Sequence, residues 1–246
     1  GDYHICERLK VMGFQAPGVA QEFVALPRSA IMPLPEDFTP ELGALVEPLA
    51  VAVHALGRAE EVAGGRVLVL GAGPIGNLVA QAARWRGAAR VTITDVSGYR
   101  LEIARRCGIE RCLDASGASI DAALREEFEG SGPDVTFECA GLEETAAQAV
   151  RHARKGSAIV VAGVFAAPPR VDLGLVQDRG LRLVGTLMYR RGDYADAIRC
   201  LSEGGVMAAP LLTVSFPFLR YAEAYRFIDS RRDRVMKVMI SLDALQ

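Results

Sequence analysis

Histidine is scarce in this 246-residue chain, with three in all, at positions 4, 54 and 152. Cysteine is present five times (6, 107, 112, 139 and 200), but no two form a CxxC pair. An odd, scattered set of thiols is not a disulfide framework, and even the close pair Cys107 and Cys112 carries no zinc motif; a reducing, cytoplasmic setting is expected. No apolar run approaches the roughly 20 residues that cross a bilayer, which excludes a membrane-spanning reading. The opening Gly1-Asp2-Tyr3-His4-Ile5-Cys6 lacks a basic stretch followed by an apolar one, so no secretory signal is expected. It also lacks an initiator Met, and the expectation is a chain that begins inside a longer gene product. Charge of one sign is missing too: 28 Lys+Arg against 30 Asp+Glu leave a formal charge of −2. That removes the electrostatic footprint of a nucleic-acid binder. The one basic run, Arg231-Arg232-Asp233-Arg234, contains an acid and reads as a solvated loop.

What is present is an ordinary globular mixture, half hydrophobic and 24% charged. At about 150 residues per domain the length suits one large or two small domains, enough to bury a core without disulfides or metal. The middle of the chain alternates β-branched runs with helix-like segments. Strands are predicted at Arg66–Leu70, Arg90–Asp95, Arg111–Leu113, Val135–Glu138, Ala158–Ala162 and Leu181–Gly185. Helical periodicity occupies about 75–87, 98–107, 119–129, 142–154 and 173–179 between and after them. Runs such as "VLVL" and "AIVV" are nearly all apolar, as strands covered by helices on both faces should be. Six strands alternating with helices predict a parallel, doubly wound α/β sheet over residues 45–186. The flanks, 1–44 and 187–246, are each too small for a core. Prolines 17, 27, 33, 35 and 40 punctuate the first, with a strand-like piece at Gln21–Ala25. The second carries amphipathic helices near 193–203 and 218–229 and a closing strand, Met236–Leu242. Together they suggest one second domain assembled from both ends.

The sharpest motif is Gly71-Ala72-Gly73-Pro74-Ile75-Gly76, directly after the strand "RVLVL" and opening a helix. Gly71 allows a tight turn, Gly73 lets backbone approach a pyrophosphate, and Gly76 lets the helix pack closely on the strand. The free N–H groups at the helix start favour phosphate charge, and Pro74 sits where a first-turn proline loses no helical hydrogen bond. Asp95 ends the next strand, 19 residues after Gly76, where an acid can accept from ribose hydroxyls and repel a 2′-phosphate. That favours NAD over NADP, although Arg100 could stack on adenine or bind a phosphate. The bland alternative is a glycine turn that binds no nucleotide, with Asp95 a strand-end cap.

Five segments in order, "GALVEPLAVAVHALGRA" (43–59), "VLVLGAGPIG" (67–76), "VTITDVSGYRLEIARRCG" (91–108), "DVTFECAG" (134–141) and "VSFPFLRYAEAYRFIDS" (214–230), resemble the zinc-dependent medium-chain dehydrogenases, in the sorbitol (polyol) and threonine dehydrogenase branch. The resemblance covers essentially the whole chain. It implies a Rossmann domain carrying NAD, wrapped by a GroES-like, β-rich catalytic domain that is incomplete here. It implies hydride transfer between a secondary alcohol and nicotinamide, and a homodimer or homotetramer. By position it assigns cofactor contacts to Gly71, Gly73, Pro74, Ile75, Gly76, Asp95 and Arg100. The backbone stretches Ala162-Gly163-Val164 and Leu187-Met188-Tyr189 fall to the nicotinamide end, and the resemblance makes Glu47, His54 and Tyr189 the catalytic candidates. Glu47 corresponds to the acid near the catalytic zinc, bound directly or through water. His54, two helical turns on, shares its face. Blander readings remain for both: a buried core histidine for His54, a helix-start acid for Glu47.

The departures are equally specific. The family's first metal-binding segment, with a Cys and a His-Glu pair, is expected to precede this chain and is absent from it. "GDYHIC" looks like the end of the structural-zinc lobe, leaving Cys6 as its remnant, and one thiolate cannot close a tetrahedral zinc site. Polyol-oxidising members tend to carry Arg immediately before the Tyr at 189; here Met188 stands there. Two functional classes stay open: an NAD-dependent, zinc-assisted alcohol or polyol dehydrogenase in its complete form, and a cofactor-binding module without turnover. A quinone-reductase-like member is disfavoured, because that branch has no use for the acid in "LVEPLAV". Missing neighbours should also leave Phe14, Phe23, Val24 and Phe216 lining an open cleft beside Glu47 and Tyr189.

Overall fold

The computed structural model describes residues 2–117 and 119–242. Its centre is a six-stranded, all-parallel sheet built from β1 (Arg66–Leu70), β2 (Arg90–Asp95), β3 (Arg111–Asp114), β4 (Val135–Glu138), β5 (Ala158–Val161) and β6 (Arg182–Gly185), in the order β3-β2-β1-β4-β5-β6. The order reverses between β1 and β4, where Val67 lies beside Val135 and Leu70 beside Glu138. In doubly wound sheets a ligand binds outside the carboxyl ends of the strands at such a reversal.

Alternate residues of β1 explain why both faces need cover. Val67 and Val69 enter a core with α1 (Pro40–Arg58), α2 (Pro74–Trp85), α3 (Gly98–Arg106) and α7 (Arg191–Ser202). Leu68 and Leu70 enter the opposite core with α4 (Ile120–Glu127), α5 (Glu143–His152) and residues of α6 (Leu173–Asp178). Every residue from Val67 to Leu70 has no exposed surface. Strand pleat sends neighbours to opposite sides, so an all-apolar strand needs two helical layers.

Helix α1 begins at Pro40, a first-turn proline behind Thr39, whose hydroxyl accepts from Leu42 N at 3.4 Å. It runs through Pro48 without a break and packs on both α2 and α7. Through Ala197, Cys200 and Leu201, α7 shares that core, and so do Val206, Leu211 and Met236. After α7 the described chain adds a two-stranded parallel pair, β7 (Leu212–Pro217) with β8 (Lys237–Ser241), linked by α8 (Tyr221–Ser230).

The strand-like reading of Gln21–Ala25 is not borne out: these residues form no strand and all of them are exposed, with the neighbouring Leu26 half-buried. A β-run without a partner edge has nowhere to place its backbone hydrogen bonds. Before Pro40 the described chain holds two single 3-10 turns, Tyr3–Ile5 and Arg28–Ala30, and one isolated bridge, Met12 to Ala16. Phe14 and Phe23 are 84% and 83% exposed, and Val24 is exposed as well. Phe216 departs from that expectation, being half-buried with its ring 5.6 Å from Phe227. No described helix is long and apolar enough to cross a membrane.

Candidate functional site

The glycine turn leaves β1 at Gly71, whose φ of +101° lies in the left-handed region that disfavours side chains. A Cβ there would stand 3.1 Å from Ala140 N, so the turn also lies hard against the end of β4. Gly76 is held still more tightly: a Cβ would run into the Gly71 carbonyl oxygen. Gly73 differs from both. It caps α2 with extended backbone, and a Cβ on it would meet nothing within 4 Å, so its face is open space in front of the helix start. Three glycines therefore do three jobs, two fitting the turn to its neighbours and the third leaving open space before the helix start. Ile75 is half-buried against the core beneath.

Asp95 closes the turn from the neighbouring strand. Its Oδ2 accepts from Ala72 N at 2.7 Å, and Oδ1 accepts from Ser97 N at 2.8 Å. The carboxylate is almost buried, with Arg100 Nη1 3.8 Å from Oδ2. Arg100 is itself anchored, donating from Nη2 to the Arg232 carbonyl at 2.7 Å, while Ser97 Oγ donates to the Asp233 carbonyl. The basic run 231–234 is exposed as expected, yet two of its backbone carbonyls, those of Arg232 and Asp233, anchor Arg100 and Ser97 beside Asp95. Each Asp95 oxygen keeps a second lone pair for hydroxyl donors.

At the carboxyl ends of β4 and β5 sequence alone does not single out the most engaged residue, Glu138. It has no exposed surface; Oε1 accepts from Ala140 N (2.9 Å), Gly141 N (2.9 Å) and Thr145 Oγ1 (2.7 Å). Its main-chain carbonyl accepts from Ala162 N (2.8 Å) and Gly163 N (2.9 Å). An acid ending a strand that is otherwise apolar is the signal that could have marked it. The stretch 162–164 thus leaves β5 against the loop after β4, and Val164 projects 93% exposed. Leu187 and Met188 leave β6 next to it, with Thr186 N bonded to the Val161 carbonyl at 3.2 Å. Met188 holds φ +51°, uncommon for a residue with a side chain.

Glu47, His54 and Tyr189 are brought to one region, with different roles. Glu47 is exposed on α1. The Tyr189 ring packs edge-on against Tyr194 at 4.7 Å, and its hydroxyl is pushed well above the ordinary phenol range by burial, then by Tyr194 and Glu47. Burial likewise raises Tyr194. His54 is buried: Nδ1 is 2.8 Å from Asp193 Oδ2, and its ring meets His4 at 4.9 Å. His4, which sequence also leaves unmarked, is held below the usual histidine range by burial, then by His54 and Arg190. The donors for a metal are few. Cys6 is an exposed free thiol, and among the described residues no group of three or more His, Cys, Asp and Glu could hold an ion. One carboxylate and one thiol do not compose a tetrahedral zinc site.

Residues 74–203 match the family model of zinc-binding dehydrogenases. Sorbitol dehydrogenase 2 of Saccharomyces cerevisiae is 32% identical over 98% of this chain and 69% of its own length. Sorbitol dehydrogenase of Ovis aries is 36% identical over 85% of this chain, which spans only 59% of that relative. Among solved structures, galactitol-1-phosphate dehydrogenase of Escherichia coli superposes with a TM-score of 0.87 at 26% identity, covering 96% of this chain and 70% of that one. The expected doubly wound sheet and the family resemblance are both borne out, and the chain belongs to the zinc-type medium-chain dehydrogenases, with sorbitol dehydrogenases among its relatives.

Proposed function

We propose that this chain serves an NAD-dependent oxidoreductase that moves hydride between a secondary alcohol, a polyol or amino alcohol, and nicotinamide. The observation that carries the reading is the division of labour in the glycine turn: Gly71 and Gly76 are sterically obligatory, whereas Gly73 faces open space at a helix start. Pro74 and Ile75 set the first turn of α2 behind it. Asp95 accepts the adenosine ribose hydroxyls and discriminates against a 2′-phosphate, with Arg100 flanking the adenine. Ala162, Gly163, Val164, Leu187 and Met188 hold the nicotinamide end. Bound nicotinamide supplies the hydride chemistry; the protein supplies position and exclusion of water.

Glu47 and Tyr189 stand where substrate oxygen would lie, and His54 supports them from behind through Asp193 rather than by touching substrate. Zinc enters this reading through family membership, with Glu47 as the carboxylate this chain offers. Cys6 is assigned to the structural-zinc lobe by resemblance alone. Five free cysteines suit a reducing, cytoplasmic compartment. The free edge of β6, with Leu183 exposed, suits pairing in a homodimer or homotetramer.

The test is titration with NADH and NADPH, followed by the nicotinamide emission. NADH should bind more tightly, and Asp95→Ala should narrow the difference. Equal or tighter NADPH binding by the unmodified chain would overturn the role of Asp95.

A further inference from the structure

The bonds to Glu138 come from the loops that follow two neighbouring strands. Its side chain holds 140–141 after β4, and its main-chain carbonyl holds 162–163 after β5. The second carboxylate oxygen, Oε2, is buried without a hydrogen-bond partner. It lies against Gly163, where a Cβ would collide with Oε2 and with Gly141 N. Gly141, at φ +68°, is in turn closed by the Val164 backbone. Two glycines therefore face each other across one carboxylate, with no room for a side chain on either.

A buried carboxylate oxygen without a donor is costly, and such a group calls for a reason to persist. Three donors converge on Oε1, which charge-assisted bonding strengthens and a neutral group would hold less firmly. The unpaired oxygen then acts as a spacer, setting how near the 162–164 backbone can approach the loop after β4.

Resting on the cofactor reading above, we propose that Glu138 is a positioning residue that sets the nicotinamide half of the site, leaving the adenosine half to the glycine turn and Asp95. Glu138 does not touch the cofactor; it fixes the backbone that does.

The two halves can be assayed separately with NADH and ADP-ribose, which lacks nicotinamide. Glu138→Gln keeps the shape and an oxygen for the three donors but removes the charge. It should weaken NADH about tenfold while ADP-ribose stays within twofold of the unmodified chain. Should that variant fail to fold, Thr145→Val, which deletes one donor from the half-buried side, should give a smaller, equally selective loss of about threefold. Equal losses for both ligands, or no loss for either, would show a merely structural carboxylate and overturn the inference. If the unmodified chain binds ADP-ribose but not NADH, the nicotinamide assignment falls together with this role. If it binds neither, the cofactor reading itself fails.

Discussion

His54 and Asp193, 139 residues apart, meet at 2.8 Å and tie α1 to the start of α7. The same Asp193 Oδ2 accepts from Arg190 N at 2.6 Å, so one carboxylate oxygen caps a helix and clamps another. Asp193→Ala removes both. It should destabilise the chain by about 1–3 kcal/mol, the range for losing a cap and leaving a buried group unpaired. Urea unfolding checks this, and a change under 0.5 kcal/mol would make the contact incidental.

The glycine turn separates folding from binding. Gly76→Ala forces a methyl into the Gly71 carbonyl and should cost roughly 3 kcal/mol or more, as overpacking does. Gly73→Ala meets open space, so its melting temperature should stay near that of the unmodified chain while NADH affinity falls more than tenfold. Calorimetric melting and NADH titration on both variants decide it; matching effects on stability would contradict the assignment.

Asp121 gives a pH test remote from the cofactor. Its carboxyl is held below the usual range, first by the hydrogen bond from His152 and further by Arg151. A carboxylate depressed by folding contributes stability above its unfolded value of about 4 and loses it as pH falls through the folded value. The gap between the unmodified chain and Asp121→Asn should therefore be full at pH 6 and close below pH 4. With a third of the side chain exposed, it should not exceed about 1 kcal/mol. A gap that widens in acid would reverse the assignment.

Phe14 and Phe23 project into solvent, so Phe14→Ser with Phe23→Ser should leave stability within about 0.5 kcal/mol. Binding of a hydrophobic dye should fall. A large loss of stability would mean these rings pack against the chain in solution.

The parallel sheet and glycine turn were readable because each is written in contiguous residues: apolar runs such as Val67–Leu70, and glycines at fixed offsets, of which geometry makes Gly71 and Gly76 obligatory. Asp95 was readable from spacing. Glu138 was not, since its importance comes from backbone donors at 140, 141, 162 and 163, which have no side-chain signature. Asp193 and His4 escaped for a similar reason, as each gains its role from a contact with a helix far away in sequence. Gln21–Ala25 shows the converse: β-like composition needs an edge to pair with, which the residues themselves do not disclose.

The place of β1 at the centre of the sheet bears on the order in which the chain can fold. Its partners are β2, about two dozen residues on, and β4, nearly seventy residues on. Until Val135–Glu138 has been synthesised, one edge of β1 has no partner. Its apolar residues then lack half their strand neighbours, and closing so long a loop carries an entropic cost before any pairing repays it. Such a nascent chain presents an unpaired apolar strand, the hazard that holding chaperones suppress. Folding should therefore lag synthesis until β4 emerges, with the glycine turn among the last elements to become rigid, because the Ala140 backbone that braces Gly71 arrives only then.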